Sequence, residues 1–446
     1  MEKYQPYPQY TEEGVPETWR KKRLRFALRM NPSKNAVRLN ADELVSFVPM
    51  DAVGEYGGIR LEEEKELREI GGGYTYFCDG DVVVAKITPC FENGKGALAK
   101  GLTNKTAFGT TELHVLRASE ESLEPAFLFY VTISDSFRKL GESEMYGAGG
   151  QKRVPENIFK DFRAGLPPLN EQRTIVRFLD YKTGQIDALI AKKEALLARL
   201  AEKRIALISH AVTKGLDPSV PMKDSGVAWL GEIPVHWDAK KIKYFASILR
   251  GKFSHRPRND PRFYGGDYPF IQTGDVANAN KFINEYSQTL NEEGLKVSKS
   301  FPAGTLVMTI AANIGDMAIL NFEACFPDSI VGFIPKDDVD LNFLFYLFTA
   351  MRQQLLSTAV LNTQLNLNIE RIGDQIGSFP LKHEQEEISN YLDGVTLKIA
   401  DQTSFISVAI AKLKEYRAAL ITNAVTGKVD VRQFALPTTG QEAAHA

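Results

Sequence analysis

Residues 204–217 read RIALISHAVTKGLD, and residues 417–430 read RAALITNAVTGKVD. Arg204, Ala206, Leu207, Ile208, Ala211, Val212, Thr213 and Asp217 recur as Arg417, Ala419, Leu420, Ile421, Ala424, Val425, Thr426 and Asp430 without a gap. The chain therefore contains a duplicated part, and a duplication asks for a function that uses that part twice.

Working outward, the opening of each half also matches. Pro16, Trp19, Leu24 and Phe26 fall over Pro234, Trp237, Ile242 and Tyr244, and Phe127-Leu-Phe-Tyr130 is repeated as Phe343-Leu-Phe-Tyr346. The offset between copies changes through the middle of each half and settles in the tails. Each half is thus a drifting body followed by a preserved tail.

The tails carry helical periodicity. From Glu171, apolar residues at Ile175, Leu179, Ile186, Leu189, Leu196, Leu200 and Leu207 follow a seven-residue pattern, with no proline before Pro218. From Glu384 the series Ile388, Leu392, Val395, Ile399, Ile406, Leu413 and Leu420 does the same, between Pro380 and Gly427. Each helix covers roughly 40 residues, or about 60 Å. Such a helix outreaches one small domain, so the two are expected to pair, and antiparallel pairing would set a body at each end. Lys193 and Gln402 are expected to interrupt the seam, and a flank containing Ile190 and Leu197 to receive partner helices in a four-helix bundle.

The bodies read as mixed α and β. Val82–Ile87, Glu112–Leu116, Thr305–Ile310 and Ile330–Ile334 are β-rich runs, and helical stretches begin at Pro125 and Leu341. The fold class expected is α+β: two similar mixed bodies separated by two long antiparallel coiled-coil helices, in a pseudo-two-fold, circular arrangement. Because the second tail ends at Asp430 and a worn copy of its missing successor stands at residues 13–19, the two ends of the chain are expected to lie close together.

The 446 residues exceed what one hydrophobic core usually organises, and 43% hydrophobic with 25% charged residues is ordinary for globular chains. The start, MEKYQPYPQY, lacks a leader pattern and no apolar run is long enough for a membrane span, so a cytoplasmic chain with no membrane contact is expected. Three cysteines without paired metal spacing agree with a reducing compartment. A net charge of −2 argues against indiscriminate coating of nucleic acid. Positive charge is nevertheless local, at Arg20–Arg25, Lys240–Lys243 and Arg250–Arg262, near the start of each copy.

Several segments together resemble the specificity (S) subunit of type I restriction-modification enzymes. Met222-Lys-Asp-Ser-Gly-Val-Ala-Trp-Leu-Gly-Glu-Ile-Pro-Val-His-Trp237 is close to that family's linker, with Glu13-Gly-Val-Pro-Glu-Thr-Trp19 as the worn copy. Pro167-Pro-Leu-Asn-Glu-Gln172 and Pro380-Leu-Lys-His-Glu-Gln385 resemble the starts of its spacer helices, and Ala211-Val-Thr213 and Ala424-Val-Thr426 their ends. The resemblance runs from about the first Trp to Asp430. It implies a target recognition domain at 1–166, a central spacer helix at 167–214, a linker at 215–236, a second recognition domain at 237–380, a C-terminal spacer helix at 381–430 and a disordered tail at 431–446.

The resemblance further implies a noncatalytic subunit for host defence and DNA methylation. Each recognition domain would read one half of a bipartite, asymmetric site on double-stranded DNA, and the helices would set the spacer and dock two modification (M) subunits. Restriction (R) subunits would join the full complex. S-adenosylmethionine, ATP and Mg are expected on those partners and none on this chain.

The residues agree with an absence of chemistry. No Gly-x-x-x-x-Gly-Lys-Ser/Thr loop is present, and Phe91-Glu-Asn-Gly-Lys-Gly96 lacks the Pro-Pro partner of a methyltransferase, Pro167-Pro168 being flanked by leucines. The six histidines show no metal-ligand spacing, so no catalytic residue and no metal site is assigned. For DNA contact, phosphate chemistry favours Lys and Arg, and base edges favour Arg, Lys, Asn and Gln on loops. The candidates are Lys86, Thr88, Asn93, Lys95, Gln151, Lys152 and Arg153 in the first body. In the second they are Arg250, Lys252, Ser254, His255, Arg256, Arg258, Thr363, Gln364 and Asn366. Two other readings stay open: a coiled-coil scaffold tethering two protein-binding domains, and a nuclease or methyltransferase in its own right.

Overall fold

The computed structural model describes residues 5–311, 314–357, 360–361, 365–366 and 368–436. The chain divides into two compact units, 1–193 with 407–446, and 194–406. The division does not follow the expected domain boundaries, because it cuts both long helices and gives each unit half of each.

In unit 1 the strands are β1 (Arg20–Arg23), β2 (Leu28–Met30), β3 (Leu44–Val48), β4 (Glu63–Glu66), β5 (Thr75–Cys78), β6 (Val82–Ala85), β7 (Gly96–Leu98), β8 (Thr106–Gly109) and β9 (Leu113–Ala118). Helices α1 (Pro125–Thr132), α2 (Asp135–Ser143) and α3 (Glu156–Asp161) follow, then β10 (Arg163–Leu166) and the long α4 (Leu169–Lys214). Two four-stranded sheets form, in the orders β2-β9-β6-β7 and β4-β3-β8-β5, and β1 pairs with β10. Val82–Ala85 is buried throughout, as expected of a central strand flanked on both faces. Pro125 starts α1 at a position where its missing N–H has no helical partner to lose.

Unit 2 opens on a hairpin of β11 (Met222–Asp224) and β12 (Glu232–Pro234). Its body comprises β13 (Asp238–Lys241), β14 (Ala246–Arg250), β15 (Tyr264–Phe270), α5 (Thr273–Asn278), β16 (Phe282–Ile283), β17 (Gln288–Leu290), α6 (Glu292–Lys296), β18 (Ser300–Phe301), β19 (Leu306–Thr309), β20 (Met317–Leu320), β21 (Ala324–Cys325) and β22 (Ile330–Pro335). It closes with α7 (Leu341–Ser357), β23 (Val360–Leu361), β24 (Leu365–Asn366), α8 (Ile369–Asp374), β25 (Ile376–Phe379) and the long α9 (Lys382–Val425).

The strand orders repeat. β14-β22-β19-β20 follows β2-β9-β6-β7, with β16 added at the edge, and β17-β15-β21-β18 follows β4-β3-β8-β5. The parallel pairing of β3 with β8 recurs as β15 with β21, and the added β16 also pairs parallel, with β20. The pair β13–β25 matches β1–β10, which explains the doubled basic runs: they are edge strands whose charges lean on carboxylates. Arg25 bonds Asp161, and Lys241 and Lys243 both reach Asp374 at 3.0 Å.

The helices run antiparallel within each unit. In unit 1, Trp19 bonds Glu171 near the start of α4 and lies against Gly427 beyond the end of α9, while Asp187 farther along pairs with Arg417 at 2.8 Å. In unit 2, Ile208, Ala211 and Val212 near the end of α4 share a core with Ile388 and Leu392 near the start of α9. The seam of α4 differs from the expected one by a residue over two turns. Ile190 is 8% exposed whereas Leu189 and Leu196 are 43% and 45% exposed. The real stripe runs Ile186, Ile190, Lys193, Leu197, Leu200, so Ile190 and Leu197 belong to the seam and the open flank carries Leu189 and Leu196. A strict seven-residue count drifts on a 3.6-residue helix, which is why the sequence pattern offered both registers. In α9 the polar interruption is half-buried Thr403, while Gln402 faces solvent.

Within unit 1, the described residues nearest the two ends meet, as the expected closure of the repeat requires. The Asp430 N–H donates to the Gln5 carbonyl at 2.8 Å, and the Tyr10 hydroxyl to the Gly427 carbonyl at 2.8 Å. Two expectations need correction. The supposed linker is part of the unit 2 core, with Leu230 and Ile233 buried and Trp229 donating to the Ile376 carbonyl at 2.9 Å. The supposed disordered tail begins too early, because Val431 is buried and the Phe434 ring meets Phe178 edge-on at 5.2 Å.

Candidate nucleic-acid interface

The candidate face of unit 1 is built from two backbone excursions stitched together. The loop 86–95 joins β6 to β7, and the turn 146–153 follows α2. The Thr88 N–H donates to the Lys152 carbonyl at 2.9 Å, the Val154 N–H to the Lys86 carbonyl at 2.8 Å, and Ile87 bridges Arg153. Lys86, Thr88, Gln151, Lys152 and Arg153, distant in sequence, therefore stand side by side. Beneath them Phe91 is buried, and the nearly buried Arg138 stacks on its ring at 4.5 Å while donating to its carbonyl at 2.8 Å. Burial pushes the Arg138 guanidinium down to about 10, and its Nε and Nη2 find no hydrogen-bond partner among the described residues.

The side chains on this face differ in what remains free. Asn93, Gln151 and Lys152 are exposed. The Lys95 ammonium is turned inward and donates to the Met50 carbonyl at 3.0 Å, so it ties the loop rather than facing solvent. The Thr88 hydroxyl donates to Glu92 at 3.0 Å. Arg153 makes a two-bonded fork with Glu112, both contacts at 2.9 Å, and those bonds hold the Glu112 carboxyl below its usual range. Lys86 borders a concavity of about 320 Å³ lined also by Asn31, Lys34, Tyr74 and Thr111.

In unit 2 the basic stretch 250–258 converges on one acid. Asp328 accepts Arg250 Nε at its carbonyl at 2.7 Å, and at its carboxylate Arg256 at 3.4 Å together with Arg258. Arg256 also donates to the carbonyls of Phe253 and His255, at 2.7 and 2.9 Å, so most of its donors serve the fold. His255 packs on Phe263 at 4.3 Å beside Asp260, whose carboxyl is held down at about 2 by hydrogen bonds from Arg262. Ser254 is tied to the Val297 carbonyl, and Lys252 is exposed. Thr363 and Gln364 lie outside the described residues, as does the side chain of Asn366, whose backbone pairs with Val360.

The two candidate sets are not equivalent parts. By strand order the counterpart of loop 86–95 is the connection from β19 to β20, residues 310–316, where Arg352 pairs with Asp316 at 2.6 Å. The counterpart of 251–263 is the connection from β2 to β3, with exposed Lys34 and Arg38. Sequence reasoning passed over both, although the repeat could have located them once the strands were aligned. A further concavity of unit 2, about 590 Å³, is lined by Asp275 and residues 278–287. Among the described residues no group of His, Cys, Asp and Glu could hold a metal ion, and no helix is long and apolar enough to cross a membrane. Burial pushes the Cys78 thiol up to about 11, away from thiolate chemistry.

The two units repeat one topology, and each carries charged loops and half of both long helices. The family model of the type I restriction modification DNA specificity domain matches residues 75–199 and 234–404, more than half of the chain, and the chain belongs to that family. It is 39% identical over 185 residues to the type I restriction enzyme EcoAI specificity subunit of Escherichia coli, a match covering 40% of this chain and 31% of that subunit. The EcoEI specificity subunit of the same species is 40% identical over 164 residues, 36% of this chain and 27% of that one. The chain thus spans about a third of the length of these curated relatives. A putative MjaX specificity subunit of Methanocaldococcus jannaschii is 24% identical over 361 residues, 77% of this chain and 79% of that one. The fold is shared with a chain solved in work on complex assembly and conformational transition of the type I R-M system, with a TM-score of 0.75, 20% identity and coverage of 94% and 100%. It is also shared with the HsdS subunit from Thermoanaerobacter tengcongensis, with a TM-score of 0.54, 20% identity and coverage of 95% and 100%.

Proposed function

We propose that this chain is the DNA-reading subunit of a type I restriction-modification complex and performs no chemistry itself. Each unit reads one half of a bipartite, asymmetric site on double-stranded DNA. The paired helices set the number of unread base pairs and receive two methyltransferase (M) subunits, which bring S-adenosylmethionine to an adenine. Restriction (R) subunits acting with ATP and Mg complete the assembly, which works in the cytoplasm. The observation that carries this reading is the repeat of both sheet orders with different side chains on the corresponding loops: Lys34 and Arg38 answer 251–263, and Lys86–Lys95 answers 310–316. Two readers of one fold and unlike surface are what two different half-sites on one duplex require.

The test is co-expression with the M subunit and genome-wide mapping of methylated adenines. Exchange of residues 20–165 for those of another family member is expected to change one half of the methylated motif and leave the other intact. A change in both halves would refute the division of labour. Binding of the complex to a specific duplex should also weaken steeply with salt, and salt-independent binding would favour a protein scaffold instead.

A further inference from the structure

Arg153 is held in a manner that decides what it can recognise. Its Nε donates to Glu112 Oε2 and its Nη2 to Glu112 Oε1, both at 2.9 Å, so one edge of the planar guanidinium is occupied. The other edge, formed by Nη1 and the outer N–H of Nη2, is open: Nη1 donates to nothing among the described residues, and the side chain is 41% exposed. Both partners are fixed from behind. Glu112 sits in the short turn from β8 to β9 and accepts the Lys86 N–H at its carbonyl, at 2.9 Å. Arg153 exchanges two backbone hydrogen bonds with Tyr146, at 3.2 and 2.8 Å.

We propose that Arg153 reads a guanine of the first half-site through its open guanidinium edge, with Glu112 as the positioning residue; this rests on the DNA-reading function proposed above. A carboxylate at 2.9 Å largely cancels the charge that would draw Arg153 to a phosphate. It does not cancel the geometry. The open edge presents two parallel N–H donors, which match the O6 and N7 acceptors of guanine in the major groove, and no other base offers that pair there. A side chain locked by a fork also has few alternative rotamers in which to satisfy a wrong base, so a mismatch leaves its donors unmet. Phosphate attraction falls to Lys86 and Lys152, whose ammonium groups make no salt bridge among the described residues. Arg256 in unit 2 is different, because its Nη1 is spent on two backbone carbonyls.

The experiment uses the full chain in complex with its M subunit and the duplex identified by methylation mapping. Each guanine in the half-site that changes on exchange of 20–165 is replaced in turn by 7-deazaguanine, which pairs normally but lacks the N7 acceptor. One replacement is expected to weaken binding about tenfold or more. Arg153→Met, which keeps a long side chain but has no donor, should lose a similar factor on the natural site and become indifferent to that replacement. Glu112→Gln, with the neighbouring charge restored, should bind random duplex more tightly and show a smaller penalty at the same guanine. A half-site without guanine, tolerance of every replacement, or an unaltered penalty in Arg153→Met would overturn the inference while leaving the DNA-reading function standing. Failure of the wild-type complex to hold any specific duplex would overturn that function itself.

Discussion

Gln172 and Gln385, at the roots of the two long helices, make the same three hydrogen bonds in their respective units, whereas the arginines of the candidate reading faces share no contact pattern. Gln172 accepts from the Glu124 N–H and donates to the carbonyls of Ser122 and Pro167; Gln385 accepts from the Asp340 N–H and donates to those of Asp338 and Pro380. Around them Trp19 bonds Glu171 as Trp237 bonds Glu384, and Tyr130 bonds Asp180 as Tyr346 bonds Asp393. On the faces, Arg153 forks onto Glu112, and three arginines crowd Asp328. The difference teaches where freedom lies. A fully buried amide has no water to fall back on, so every partner must be kept, while an exposed guanidinium can exchange partners at little cost.

The largest effect should come from breaking a root. Gln172→Leu strands one N–H and two carbonyls, and about 3 kcal/mol or more of stability should be lost from unit 1. Gln385→Leu should do the same to unit 2. Hydrogen exchange resolved by residue would show protection falling in the mutated unit; retention of wild-type protection would mean that the amide is replaceable. Next come the glycines beyond each helix, Gly215 at φ +77° and Gly427 at φ +73°. A Cβ on Gly427 would meet Pro16 Cδ at 2.4 Å, but on Gly215 nothing nearer than the Trp237 ring at 3.3 Å. Gly215→Ala should therefore cost about 1 kcal/mol from the backbone alone, and Gly427→Ala about 2 kcal/mol or more. Equal thermal shifts would show that the closure through Pro16 yields easily.

A smaller difference should appear with pH. Burial lowers the pKa of His114 from 6.5, and the strand order sets Val331 at its place in unit 2. A depressed folded pKa means that unfolding takes up a proton. The contribution of neutral His114 is thus complete above pH 6.5 and is lost as pH falls through its folded value. Unit 1 should lose protection before unit 2 as pH is lowered from 7 toward 5, and His114→Val should remove that difference; parallel loss in both units would contradict it. The smallest effect is expected from Asp187→Ala, which breaks a half-exposed pair with Arg417 and should change stability by less than about 1 kcal/mol.

Much of the root is legible in the order of the residues. Pro167–Gln172 and Pro380–Gln385, Trp19 and Trp237, and both helix ends are short local strings that the packing holds to one solution in each unit. The faces are less legible. Lys95 reads as a free cation in its own stretch of chain, yet Met50, 45 positions earlier, offers its carbonyl. Arg256 and Arg258 read as a basic patch, yet Asp328 comes up to them from the turn before β22. Leu189 and Leu196 read as seam residues because a helix without its partner presents two adjacent apolar stripes of similar quality.

The sequence by itself determined the duplication, the long helices and the meeting of residues 5–19 with residues 427–430, because each follows from residues that must repeat to satisfy the same buried contacts. Tertiary structure alone decided which helix stripe is covered, which cations are spent on the protein's own carbonyls and carboxylates, and that Arg153 keeps one guanidinium edge open beside Glu112. Those outcomes depend on groups brought together across tens of residues, and an ion pair or a side-chain-to-carbonyl bond leaves no mark in the local spacing of the chain.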